Sequence, residues 1–317
     1  MSAILVYRSL AEVPENFGPT VAAIGNFDGL HCGHRAIVGG AVEEARRLGL
    51  TALAVTFNPH PEHLLHPARE PRIIAPIEDR IRLFATTGVD AVLVVPFDAK
   101  LAHMSPLAFA RDILAARLRV RSLHEGHNFR FGHRAAAGVT ELIEMGKQFG
   151  WTVTIHTFIR VHNMEVSSSA VRDLIAQGDV RRARWMLGRA FSICSTQVRG
   201  RGVGTRLLVP TINLAPYNGL LPAYGVYITR LHIAGRTFQA VTNVGDRPTF
   251  EGVGFGVETH ILNFEPIETG DSAPLELEFL HRLRGEIAFP SPQALKDQIL
   301  RDVVRAKRYF RLLALQR

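Results

Sequence analysis

The sequence predicts an α/β N-terminal domain built on a parallel sheet, followed by an antiparallel β-barrel or sandwich with a long terminal helix. Three observations predict it. Up to about Leu187, short apolar runs of strand character alternate with segments of helical spacing, the pattern of a parallel sheet covered on both faces. From about Gly188 the texture changes to strand-like segments separated by Gly, Pro and Asn, with little helical period, as in barrels and sandwiches. After Ser291-Pro292, Leu295, Ile299, Val303, Ala306, Phe310 and Leu313 recur every three or four residues and make one apolar helix face. Domains are therefore expected at 1–187 and 188–317, and a chain of 317 residues favours two domains over one.

The first half reads in order as follows. Val21–Ile24 is a buried strand, and Gly25–His34 leads from it to a helix expected over Arg35–Leu48. Thr51–Phe57 is a second buried strand, ended by Asn58-Pro59-His60-Pro61 because proline cannot continue a central ladder. Glu78–Thr87 has helical spacing, and Ala91–Val95 is a third strand. Ser105-Pro106 starts a helix with a capping hydroxyl and a proline in the first turn, running to about Leu118. A short strand at Ser122–Glu125, a glycine-rich loop to Gly138, a helix at Thr140–Phe149 and a strand at Thr152–Thr157 follow. Ser168 or Ser169 then caps a helix, and Asp179–Leu187 gives one more.

In the second half, strands are expected at Phe191–Val198, Gly225–Ile233, Phe238–Val244, Val257–Leu262 and Leu275–Leu283. No internal repeat or low-complexity segment interrupts them.

Composition narrows the function. Hydrophobic residues make up 47% and charged residues 21%, as in soluble globular proteins. The N-terminus has no signal-peptide pattern, and no apolar run is long enough to span a bilayer. Two cysteines cannot form a disulfide framework, so a cytoplasmic setting is expected. The net charge of +8 suits polyphosphate ligands as well as nucleic acid. The basic residues are scattered apart from Arg181, Arg182, Arg184 and Arg189. With no aromatic-interleaved basic stripe, neither nucleic acid nor a membrane is an expected partner. A homo-oligomer is compatible with the sequence.

The stretch Gly25-Asn26-Phe27-Asp28-Gly29-Leu30-His31-Cys32-Gly33-His34 organises the first half. Its glycines let the backbone turn tightly and approach a ligand. The helix start that follows offers free N–H groups and a positive dipole end, which suit phosphate. Two imidazoles there can stabilise charge growing on phosphate oxygens. His-x-x-His alone also occurs in surface loops. Zinc is a further alternative, given Cys32 nearby, but structural zinc needs four ligands and Cys194 has no partner motif. Ser168, Ser169 and Arg172 read as a capped helix start. On the same sheet edge as a nucleotide site they would grip the outer phosphates.

A second site is marked by Gly200, Gly202 and Gly204 before Pro210-Thr211-Ile212-Asn213. A glycine loop can lie over phosphates, and the oxygens of Thr211 and Asn213 suit magnesium. Glu258 lies in a β-prone segment, where a carboxylate is a general base in a cleft or a strand residue facing water. Spacing alone favours water.

These motifs, taken in order over nearly the whole chain, resemble the bacterial bifunctional riboflavin kinase/FAD synthetases. The resemblance rests on Gly25–His34, Thr56–Pro61, Gly126–Gly132 and Ser167–Arg172. In the second half it rests on Pro210–Asn213, Gly225–Tyr227, Asn243–Phe250, Val257–His260 and Arg284–Glu286. It implies a Rossmann-like nucleotidylyltransferase domain that transfers AMP from ATP to FMN, and a barrel that phosphorylates riboflavin. It implies ATP as substrate, Mg2+ as cofactor, and riboflavin and FMN as the other small-molecule partners.

By position, His31 and His34 match the phosphate-binding histidines. Gly25, Asn26, Phe27, Asp28, Gly33, Ser168, Ser169, Arg172, Gly200 and Gly204 match nucleotide-binding positions. Asn58, His60, Asn128 and Arg284 match flavin-binding positions, Thr211 and Asn213 the magnesium ligands, and Glu258 the base. The kinase loop departs from the family pattern at Val203-Gly204-Thr205 and Leu207-Leu208-Val209. The departure leaves an FMN adenylyltransferase with a kinase-impaired, flavin-binding barrel as the alternative. A regulator without catalysis is a third reading, opposed by the intact His-x-Gly-His.

Overall fold

The computed structural model describes residues 4–69, 72–198, 211–249, 252–263 and 273–315. Contacts divide the chain into two compact units, Met1–Ser168 and Ser169–Arg317.

In the first unit, β1 (Leu5–Tyr7) and β2 (Thr20–Ile24) precede α1 (Cys32–Leu48). Next come β3 (Thr51–Asn58), the short α2 (Pro61–Leu65), α3 (Ile77–Phe84) and β4 (Ala91–Pro96). After β4 come α4 (Ala99–Ala102) and α5 (Pro106–Ala108), which continues as a π-helical stretch, Phe109–Arg117. Then β5 (Val120–Gly126), the small hairpin of β6 (Arg130–Phe131) and β7 (Ala137–Gly138), α6 (Val139–Phe149) and β8 (Thr152–His156) follow. A last hairpin pairs β9 (Arg160–Val161) with β10 (Met164–Glu165).

The main sheet has the order β1-β4-β3-β2-β5-β8, and every neighbouring pair is parallel. From β2 the chain moves outward through β3 to β4, then returns to lay β5 on the other side of β2. Strand order thus reverses between β2 and β5, where open α/β sheets bind ligands beyond the carboxyl ends of the strands. All five residues of β2 are buried, as a strand covered on both faces requires. Val21 and Ala23 pack with Val38, Ala41 and Ala45 of α1, while Ala22 and Ile24 pack with Phe109, Ile113 and Leu114.

Three local expectations are corrected. Helix α1 begins at Cys32, not Arg35, because His31 caps it: its Nδ1 accepts the His34 N–H at 3.2 Å. The helix after β10 begins at Ser168, so Ser168 and Ser169 lie inside it and Ser167 takes the capping position. The helix expected to reach Leu118 widens after Ala108. Its buried residues Phe109, Ile113 and Leu118 are four or five apart, a spacing that suits i→i+5 bonding, and Leu118 N–H donates to the Ile113 carbonyl at 2.9 Å.

The second unit opens with α7 (Ser168–Ala176), whose first residue closes the first unit, and α8 (Val180–Leu187). The strands are β11 (Phe191–Val198), β12 (Thr211–Leu214), β13 (Gly225–Ile233), β14 (Arg236–Thr249), β15 (Gly252–Ile261) and β16 (Pro274–Arg284). They close an antiparallel barrel in the order β11-β12-β15-β14-β13-β16.

Inside the barrel, Phe191, Ile193, Tyr227, Leu231, Leu277 and Phe279 are buried. Three buried threonines satisfy one another there: Thr229 bonds Thr242 at 2.7 Å and Thr242 bonds Thr259 at 3.0 Å, as buried hydroxyls must. Outside, Val226, Ile228, Val241 and Leu280 form an apolar patch covered by Ala306 and Phe310 of α9 (Pro292–Ala314). Ser291 caps α9 through the Ala294 N–H. The contacts place α8 against β11 and β16, so α7 and α8, read from sequence with residues 1–187, group with the barrel.

Candidate active sites

The first site forms at the carboxyl ends of β2, β3 and β5. The turn after β2 is held from beneath. Asp28 is 1% exposed, and its carboxylate accepts the N–H groups of Ile74 and Ala75 at 3.1 and 3.0 Å. Its carbonyl accepts from the Ser168 hydroxyl at 3.1 Å. Gly29 has φ +77°, and a Cβ there would stand 2.8 Å from Ile74, so only glycine fits. Phe27 is buried and meets His34 and Phe84 edge-on, with centroids at 5.2 and 5.5 Å. The side chains of Phe27 and Asp28 are therefore turned into the fold. Toward the open end of the sheet they present main chain rather than side chain.

The histidines stand at the helix start itself. Their rings stack with centroids 3.6 Å apart and an interplanar angle of 16°. Gly33 between them permits this, since a Cβ there would lie 3.2 Å from the His31 ring. Because His31 Nδ1 accepts the His34 N–H, neutral His31 carries its proton on Nε2, a donor for an anionic oxygen. The first turn of α1 contains no acidic residue, so no carboxylate there offsets the positive end of its dipole, which favours an anion.

The other first-unit candidates lie at or just after the ends of β3 and β5. Asn58 is exposed at the end of β3, and Asn128 is exposed just after β5. His60 is buried and caps α2, its Nδ1 accepting the Glu62 N–H at 3.2 Å. Ser169 is exposed and Arg172 half-buried on α7, in the second unit.

Sequence reasoning missed Glu125. It is the penultimate residue of β5, 1% exposed, and its Oε1 accepts the Ile24 N–H at 2.9 Å, one residue before the turn. Burial drives its carboxyl well above the ordinary glutamate range, against the opposing pull of that hydrogen bond. It also missed a network on the α1 side of the sheet. There Glu44 accepts from Ser122 at 2.8 Å and bonds His124 Nε2 at 2.7 Å, and His124 Nδ1 meets His156 Nε2 at 3.0 Å. Burial pushes Glu44 up, but the bonds from His124 and Ser122 outweigh it and hold the carboxyl below its usual value. Burial, then the neighbouring His124, lowers His156. No motif spacing announces either feature, because the partners lie on three separate elements.

The second site is written in strand register. Asn213 of β12 pairs with Glu258 of β15, and Glu258 pairs with Asn243 of β14. Thr211 pairs with His260. Side chains directly opposite share a face, so Thr211, Asn213, Asn243 and Glu258 share the face opposite to that of the inward Thr242 and Thr259. Asn213 is 5% exposed and Glu258 is half-buried, so Glu258 is only partly open to the solvent that its spacing favours. Arg284 ends β16, and its Nε donates to Asp302 of α9 at 2.9 Å. Gly200, Gly204 and the departures at 203–209 lie outside the described residues. Among the described residues, no group of three or more His, Cys, Asp or Glu is placed to hold a metal ion, and no helix is long and apolar enough to cross a membrane.

Comparison with known proteins gives each unit a family. The FAD synthetase family pattern matches residues 13–170, and the riboflavin kinase pattern matches residues 187–310. The chain is 32% identical to the bifunctional riboflavin kinase/FMN adenylyltransferase of Escherichia coli K12, over 98% of this chain and 99% of that one. It is 34% identical to the protein of that name from Pseudomonas fluorescens, over 93% and 94%. The Bacillus subtilis protein is 30% identical over 94% and 95%. A crystal structure described as a macrolide-efflux protein from Streptococcus pneumoniae superposes with a TM-score of 0.84 at 23% identity, covering 96% of this chain and 99% of that one, a likeness of fold alone. With both family patterns present in order and relatives matched end to end, the chain belongs to the bifunctional riboflavin kinase/FMN adenylyltransferase family.

Proposed function

We propose that the chain phosphorylates riboflavin to FMN with ATP and then adenylylates FMN to FAD, releasing pyrophosphate. The observation that carries this is the pairing of two separate sites with two family matches: the stacked His31–His34 helix start in one, the Asn213–Glu258 register pair in the other. The match over 187–310 favours two activities over an adenylyltransferase with a silent barrel.

In the first reaction, the riboflavin 5′-hydroxyl oxygen attacks the γ-phosphorus while Glu258 takes its proton, and ADP leaves. Thr211 and Asn213 offer a hydroxyl and an amide oxygen on one strand face, a donor set that fits magnesium better than a soft metal. Bound there with ATP, the ion would neutralise phosphate charge. In the second reaction the FMN phosphate, already an anion, attacks the α-phosphorus, and the bond to the bridging oxygen of pyrophosphate breaks. His31, His34 and the N–H groups of α1 stabilise the charge that gathers on the phosphates. Asn58, His60 and Asn128 would bound the flavin in this site, and Ser168, bonded to the Asp28 carbonyl, would help to hold the departing pyrophosphate.

By this reading residues 1–187 serve adenylyl transfer and 188–317 serve the kinase, in the cytoplasm, and a homo-oligomer is compatible with both. Incubating the protein with riboflavin, ATP and magnesium and separating the flavins tests it. FAD is the expected product. FAD from supplied FMN alone would leave the kinase half silent, and no conversion at all would overturn the proposal.

A further inference from the structure

Arg80 and Thr56 take no part in the chemistry above, yet they are buried directly beside the first site. Arg80 is 2% exposed and Thr56 fully buried. Arg80 lies on the face of α3 that also carries Ile77, Ile81 and Phe84, so its guanidinium points inward. Nη1 donates to the Thr56 hydroxyl at 3.0 Å and to the Phe57 carbonyl at 3.2 Å, and Nη2 donates to the Ala75 carbonyl at 3.3 Å. The Thr56 hydroxyl in turn donates to the Asn26 carbonyl at 3.0 Å. Because guanidinium only donates and a carbonyl only accepts, the direction of this chain is fixed from Arg80 through Thr56 to Asn26.

Three segments converge on this one cation. Asn26 belongs to the turn that carries His31 and His34. Phe57 immediately precedes Asn58. Ala75 lies in the strap whose N–H groups hold the Asp28 carboxylate. Burying a guanidinium is expensive, and an apolar side chain of similar volume commonly serves stability as well. Stability therefore does not explain its presence, whereas a donor that fixes three backbone segments at a sheet edge does.

We propose that Arg80, acting through Thr56, is a positioning residue for adenylyl transfer, setting the Asn26–Asp28 main chain against the end of β3. The proposal rests on the reading of Gly25–His34 as the phosphate-binding turn. Its test uses the full-length protein, with riboflavin phosphorylation as a control in the same molecule. Thr56→Val keeps the shape and deletes the hydroxyl, while Thr56→Ser keeps the hydroxyl and deletes the methyl.

Thr56→Val is expected to lower kcat for FAD formation from FMN by about fivefold or more, the worth of one net hydrogen bond. Thr56→Ser should stay near the parent, and kinase activity should be unchanged in both. Arg80→Met should lower kcat further, Arg80→Lys should recover part of the loss, and adding Thr56→Val to Arg80→Met should lower it no more. If Arg80→Met does not fold, the Thr56 pair decides. Parent kcat and KM in Thr56→Val, or equal losses in Thr56→Val and Thr56→Ser, would overturn the proposal. A companion His31→Ala/His34→Ala protein separates the two readings. Its loss of FAD formation beside a normal Thr56→Val protein overturns the positioning role alone, while parent rates in it overturn the reading of the turn.

Discussion

His31 and His34 stack ring on ring at 3.6 Å, while His31 Nδ1 also accepts the His34 main-chain N–H. One side chain thus caps the helix and orients its partner. Replacing both by alanine removes the two proposed phosphate donors and a cap that is worth about 1 kcal/mol. The His31→Ala/His34→Ala protein is expected to lose FAD formation from FMN while still making FMN from riboflavin. Separating flavins after incubation with each substrate checks this, and FAD formation at the parent rate would remove the histidines from the reaction.

Glu125 gives a pH dependence with a definite sign. Burial raises its folded carboxyl well above the ordinary glutamate value of about 4.5. Between the unfolded and folded values the native state holds a proton that the unfolded chain has released. Stability from this group is therefore full below about pH 4.5 and falls as pH rises through that window, by about 1.4 kcal/mol per pH unit. Glu125→Gln keeps the acceptor for Ile24 N–H and cannot ionise. The variant should match the parent at acidic pH and exceed it at neutral pH in unfolding experiments. A variant less stable than the parent at neutral pH would show that the carboxylate is not held neutral.

The parallel sheet, the antiparallel strands of the second half and the histidine turn were legible because each is written locally. Val21–Ile24 is a continuous apolar run, and Gly25–His34 sits where such a run must end. Glu125 was not legible, since a lone acid after Leu123-His124 looks like a strand end reaching for water. Arg80 was hidden in the charged run Glu78-Asp79-Arg80-Ile81-Arg82, although its spacing to Ile77, Ile81 and Phe84 puts it on the inner face. Strand β12 was read as ligands alone, because Thr211–Leu214 is too short to show alternation. Helices α7 and α8 were read with the first domain because an amphipathic face states that it is buried, not against what.

That last point makes a prediction. Val171 and Ile175 of α7 and Val180, Ala183, Met186 and Leu187 of α8 are buried. Gly178 N–H donates to the Ile175 carbonyl, and Arg282 donates to the Gln177 carbonyl from β16 at 3.1 Å. A fragment of residues 169–317 should therefore unfold at higher denaturant concentration than one of residues 188–317. Each fully buried aliphatic side chain removed forfeits about 1.5–3 kcal/mol. Equal midpoints for the two fragments would show that the helices add nothing to the barrel.

Glu258 faces Asn213 on one side and Asn243 on the other in register, so a carboxylate is bracketed by two amides on one barrel face. A primary hydroxyl is a poor nucleophile at neutral pH, and a carboxylate in reach of it accepts its proton as the bond to the γ-phosphorus forms. Glu258→Gln preserves volume and still accepts a hydrogen bond, but it cannot take the proton. General-base assistance contributes roughly 10²–10⁴-fold, so FMN formation should fall by that order. FAD formation from supplied FMN should continue, because the FMN phosphate needs no base and its site lies in the other unit. Steady-state rates for both reactions in one preparation check the claim. Normal riboflavin phosphorylation by the variant would remove Glu258 as the base. Loss of both reactions in a folded protein would mean that the carboxylate acts on the structure rather than on the hydroxyl.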